Sequence, residues 1–249
     1  MESGQWAAVC YYGADAMPLC TPFFLRQTPI LALLLLGMGA SLAQPSQPSV
    51  RDAEMAQCLP GEIATWGDGR DQPAVASPMV FVYDHASAPV WFDEATVFWA
   101  LRRAATEWAR CGVPAHVRLW STQAPADGIA VRWSERGSLG NFGLANYTQK
   151  TLVLGPQAFA LLRKANPAHD ARETLQMVIS HEMGHLFGLM AHSRRCVDVT
   201  SNYDNGKGDT CFARDRNQLR RYPEYRASLP TACDLQRCRA ANGLAPAKP

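Results

Sequence analysis

Two periods of apolar residues run through this chain, one of about two residues and one of about 3.6, and the switches between them outline its elements. Met79-Val80-Phe81-Val82-Tyr83-Asp84 is rich in β-branched and aromatic residues and predicts a first strand. Val97, Leu101, Ala104, Ala105 and Trp108 then recur at helical spacing behind Asp93, a suitable N-cap, until Cys111-Gly112 and Pro114 stop the helix. Its aromatic residues Phe98, Trp99 and Trp108 are expected to pack in the core. His116–Trp120 and Ile129–Trp133 alternate polar and apolar positions, as strands with one exposed face do, and a short loop with the turn Ala126-Asp127-Gly128 joins them. The glycine-rich run Gly137–Tyr147 suits an edge strand and its approach better than a central strand. Thr151–Leu154 is a short buried strand, and Gln157–Lys164 a helix closed by Asn166-Pro167.

A second long helix starts at Asp170 or Thr174, turns Leu175, Val178 and Ile179 inward and runs into His181. Beyond His192 the chain reads as irregular through Phe212, basic and helix-prone over Asp215–Arg221, then helical from Thr231 to Ala241 with Gly243 as the stop. Residues 44–78 are rich in Gly, Pro and Asp, show no sustained period, and are expected to form an irregular N-terminal arm. With no repeat in sight, 79–249 reads as one domain.

With 249 residues, 47% of them hydrophobic and 18% charged, the chain can bury a core. Its formal charge of +2, with both signs interspersed, gives no reason to expect a nucleic-acid or membrane-surface partner. Arg26, the apolar run Ile30–Met38, and small residues at Ser41 and Ala43 together read as a secretory signal. Residues 1–43 are then a signal peptide with an N-terminal extension, with Met17 as an alternative start, and the mature chain is expected to be a secreted or periplasmic monomer. Removing that segment takes Cys10 and Cys20 and leaves six cysteines, an even number that suggests disulfides in an exported protein. Cys196 and Cys211 bracket a loop rich in Gly, Asn and Asp and are expected to pair. Cys233 and Cys238 stand five apart on one helix, too far to bridge, so they reach Cys58 and Cys111 in an order that spacing leaves open.

The chemistry concentrates in His181-Glu182-Met183-Gly184-His185-Leu186-Phe187-Gly188-Leu189-Met190-Ala191-His192. On a helix His181 and His185 lie one turn apart on one face and can hold a single ion, with Glu182 beside them as a general base. Gly188 lets the helix end in a left-handed turn that brings back a third ligand, for which His192 is the natural candidate. Asp198, Asp204 and Glu224 are the alternatives. His85 and His116 have no spaced partner and read as ordinary solvated or packed histidines.

Through this motif and the order of strands and helices before it, the sequence resembles the metzincin clan of zinc endopeptidases, and within it the small secreted bacterial snapalysins. Two positions depart from the clan pattern. Ala191 stands where the third ligand belongs, with His192 one residue later, and Thr200 stands where the clan has the methionine of its Met-turn. The resemblance implies an α+β fold: a twisted mixed sheet with an antiparallel edge strand, packed on a long helix and the active-site helix, with an irregular C-terminal part ending in a helix. It also implies one catalytic zinc ion, hydrolysis of internal peptide bonds, and an extended protein or peptide substrate lying against Gly143-Leu144-Ala145-Asn146. Tyr203, just past the Met-turn position, is a candidate for an auxiliary or oxyanion role, with packing as its other reading. Asp204–Asp209 carries enough oxygens for calcium but lacks the spacing of a calcium loop, so a solvated turn is favoured. The rival readings are a weakly active zinc domain that captures peptides and a purely structural zinc or disulfide module.

Overall fold

A computed structural model describes residues 48–121 and 128–246; the expected signal segment, Ala126-Asp127 of the turn and the last three residues of the tail lie outside them. Strands β1 (Met79–Asp84), β2 (Ala115–Leu119), β3 (Ile129–Trp133), β4 (Gly143–Asn146) and β5 (Thr151–Leu154) form one sheet in the order β2-β1-β3-β5-β4. β1, β2, β3 and β5 are parallel, and β4 alone runs antiparallel, along β5 at the sheet edge. Although consecutive in sequence, β2 and β3 are not neighbours: β1 lies between them, with Phe81 opposite Val117 on one side and Ile129 on the other. Parallel strands cannot be joined by a tight hairpin, and a connection that returns the chain to its starting end can step over a neighbour.

Local capping chemistry sets the helix starts. Asp93 Oδ1 accepts the Thr96 N–H (2.7 Å) ahead of α2 (Glu94–Ala109), and Asp170 Oδ1 accepts the Arg172 N–H (3.0 Å) ahead of α5 (Ala171–Leu186). These two helices pack together, with Trp108 fully buried between them: its Nε1–H donates to Ser180 O (2.8 Å) and its ring stacks on Phe187 at 5.5 Å. Burying an aromatic side chain of this kind stabilises the fold by about 2–3 kcal/mol. Trp99 behaves differently from the expectation. It is 59% exposed, because it lies two residues, or about 200° of helix, from Val97 and so faces away from the buried stripe.

α4 (Pro156–Ala165) and α6 (Ala232–Ala241) match the sequence reading closely, whereas Arg216–Arg221 is a 3-10 helix and Glu135–Ser138 (α3) a single turn on the way to β4. The arm is not wholly irregular. Val50–Ala56 (α1) is a helix with a Ser49–Asp52 capping box, and its one buried residue is Glu54, so no apolar period announces it. Glu54 accepts the Tyr225 hydroxyl (2.5 Å) and the Arg214 N–H (2.7 Å), and its carbonyl accepts Arg195 (2.8 Å). Three disulfides join the described residues: Cys196–Cys211 as expected, and Cys58–Cys233 and Cys111–Cys238, which fixes the order that spacing left open.

Candidate metal centre

His181 and His185 project from the last turns of α5, with ring centroids 5.0 Å apart. The helix then stops in a Schellman arrangement. Gly188 takes φ 102°, its N–H reaches His185 O (3.0 Å), and the Leu189 N–H reaches Gly184 O (3.0 Å). A side chain at 188 would be excluded twice over, by this left-handed backbone and by Gln72 O, which lies 1.9 Å from where a Cβ would sit. The turn brings His192 back to ring centroids 5.2 Å from His181 and 5.0 Å from His185. One nitrogen from each of the three rings lies within 4.8 Å of the others, and all three residues are buried.

Each ring is oriented through Nδ1. His181 Nδ1 meets Val199 O (2.7 Å), His185 Nδ1 meets Leu189 O (2.8 Å), and His192 Nδ1 meets an Asp68 carboxylate oxygen (2.6 Å). Carbonyl and carboxylate partners require Nδ1–H, which leaves Nε2 of each ring as the lone-pair donor toward a common centre. His185 Nε2 is buried with no hydrogen-bond partner, the condition of an atom that lacks its ligand. Burial, followed by the neighbouring imidazoles, holds the His181 pKa well below its usual range, and the same two causes bring His185 down to about 3. Both rings are therefore neutral, as metal-binding imidazoles must be. The donor set fits a divalent ion of the zinc class.

Glu182 is 4% exposed, and burial pushes its carboxyl up to about 7 against the opposing effect of one hydrogen bond, from Ala145 N–H to Oε2 (2.7 Å). The bond is possible because β4 lies directly on α5. A Cβ at Gly143 would come within 2.6 Å of Val178 and 2.8 Å of Glu182, so only glycine allows the strand so close. Phe142 O accepts the Gly155 N–H (3.0 Å), so alternate positions Gly143 and Ala145 turn their main chain to the open edge. Gly143–Asn146 thus form the sheet edge next to Glu182, as the sequence suggested.

The other candidates hold hydrogen-bond partners of their own. Tyr203 gives its hydroxyl to Glu224 and accepts the Tyr225 N–H (2.8 Å), within a second apolar cluster around Cys196, Cys211 and Tyr225. Glu224 also pairs with Arg226 (2.7 Å), and Asp198 accepts Arg195 (2.9 Å), Ser193 (2.7 Å) and Thr231 (2.6 Å). In Asp204–Asp209 the oxygens fold back on the loop: Asp204 Oδ1 accepts the Gly206 N–H (2.9 Å) and Asn205 Oδ1 the Lys207 N–H (2.8 Å). His85 bonds Tyr83 (2.6 Å) and His116 is exposed.

Thr200 is fully buried against the motif helix; a Cβ on Gly184 would meet its methyl at 2.7 Å. Its hydroxyl donates to Asp234 (2.6 Å), and the other Asp234 oxygen accepts the Val199 N–H (3.0 Å) on the strand of chain that holds His181. Sequence reasoning missed Asp234, Asp68, Asp71 and Arg237. Asp68 also accepts the His192 N–H (2.9 Å), while Asp71 accepts the Ala191 N–H (3.2 Å) and pairs with Arg237 (2.6 Å). The only signal was acidic residues flanking Gly69 in a segment without periodicity.

No protein-family model matches this sequence, and no curated protein matches it. Among solved structures the chain is similar to a chain in the GM1-bound form of the ECX AB5 holotoxin, at 12% identity and a TM-score of 0.39, over 66% of this chain and 80% of that one.

Proposed function

We propose that this chain is a zinc-dependent endopeptidase of metzincin type, exported and braced by its three disulfides. The observation that carries the reading is the convergence of three buried imidazoles on one point, with the buried Glu182 on the helix of the first two and a strand edge beside it. Zinc, when bound there, supplies a Lewis acid that polarises the scissile carbonyl and makes water a nucleophile near neutral pH. Glu182 takes the proton of the attacking water and passes it to the leaving amine, and a carboxyl titrating near 7 suits both tasks. The Ala145 N–H fixes the orientation of that carboxyl. The outward main chain of Gly143 and the Ala145 carbonyl offer an extended peptide a ladder to join, beside the reacting groups. Among the described residues no helix is long and apolar enough to cross a membrane.

The zinc-loaded full chain should hydrolyse casein, lose that activity to a chelator and recover it with zinc. In Glu182→Ala, turnover should fall about 10²–10⁴-fold while zinc content is unchanged. Undiminished turnover in Glu182→Ala overturns the mechanism. Zinc binding by a wild-type chain that hydrolyses nothing leaves a peptide-capture domain in its place.

A further inference from the structure

Upstream of His181, the first turns of α5 form one wall of a cavity of about 810 Å³. The outer face of α2 supplies Trp99 and Arg103, the arm supplies Arg51, and the chain after the 3-10 helix supplies Arg226. Three features of this cavity are unaccounted for by packing. Trp99 is more than half exposed, with the Arg103 guanidinium 5.2 Å from its ring centre. Gln176 is 5% exposed and donates Nε2–H to Ala100 O (3.1 Å), yet its Oε1 has no partner. The lining holds four arginines, Arg51, Arg103, Arg172 and Arg226, against two glutamates, Glu173 and Glu224.

Arg172 pairs with Asp170 and Arg226 with Glu224, whereas Arg51 donates to the carbonyls of Tyr225 and Arg226 and lies over the Tyr222 and Tyr225 rings, and Arg103 lies on Trp99; against these two charges the lining sets Glu173, which leaves a positive excess. Met177 and Gln176 precede His181 by four and five residues, so the cavity starts about 6–8 Å along the helix axis from His181.

We infer that this cavity docks an acidic stretch of the polypeptide substrate. Apolar carbons cover Trp99 and Met177, and carboxylates reach Arg103 and Arg51. That the docked chain is a substrate rests on the peptidase reading; that it is acidic rests on the cavity alone.

The test separates the two. Zinc-loaded Glu182→Ala protein, which binds without cutting, is titrated with a fluorescein-labelled peptide rich in Asp and Glu and with its Asn/Gln twin, following anisotropy. The acidic peptide should bind about five- to tenfold more tightly at low salt, and added salt should remove the difference. Arg103→Glu, an exposed substitution, should abolish the preference, and Trp99→Ala should weaken both peptides. Equal affinities, or a preference that survives Arg103→Glu, overturn the docking site. Preference in a chain whose wild type never hydrolyses casein sinks the peptidase reading and keeps the site; casein hydrolysis without preference does the reverse.

Discussion

The two halves of the metal centre are built by opposite means. His181, Glu182 and His185 are placed by one helix, where a spacing of four residues and a cap at Asp170 suffice. His192 stands on irregular chain and is placed from a distance, by Asp68, which lies 124 residues earlier, and by the neighbouring Asp71–Arg237 pair. Even the anchors differ in kind: main-chain carbonyls hold the two helical imidazoles, and a side-chain carboxylate holds the third. A helix makes its geometry from nearest neighbours, whereas a loop must borrow rigidity from whatever packs on it. The arm sets where the loop goes, so the count of residues after Gly188 does not.

The comparison can be broken most directly at His192. His192→Ala should lower zinc affinity by more than about a hundredfold, read by competition with a chromophoric chelator, and an affinity within about threefold of wild type would return the third ligand to an acidic residue. Asp68→Asn is next: it keeps the shape and removes the charge that holds the ring, and zinc affinity should fall about 10–100-fold with the fold intact by circular dichroism. An unchanged affinity would mean that the arm covers the loop without positioning it. Thr200→Val is the smallest. It removes the hydroxyl donor to the buried Asp234 carboxylate and should cost about 1–2 kcal/mol in urea unfolding, with zinc affinity barely moved. A zinc loss as large as that of Asp68→Asn would show that the helical half also depends on distant support.

The same division separates what the sequence disclosed from what it withheld. Caps at Asp93, Asp170 and Thr231, the strands around Phe81 and Val131, and the first two imidazoles all follow from contacts within a few residues, so periodicity and spacing reveal them. The place of β1 between β2 and β3 and the pairing of Cys58 with Cys233 depend on long-range choices that no local pattern encodes. Asp68 is the clearest case. Its acid-glycine surroundings look like any solvated turn, and only the fold shows that Gly69 lies tight against the Met190 carbonyl, where a Cβ would come within 2.3 Å.

The Cys58–Cys233 bridge and the residues after it also set an order in time. Asp234 braces the chain that holds His181, Arg237 pins Asp71 beside His192, and both lie on the last helix of the chain. While the protein is being synthesised, the motif helix emerges from the ribosome well before these partners do. A nascent chain therefore carries the two helical imidazoles and Glu182 before His192 has its supports, and the three-histidine cluster is braced only once the helix Ala232–Ala241 has been made. The order of synthesis thus keeps the three imidazoles from being held together before the last described helix has been made.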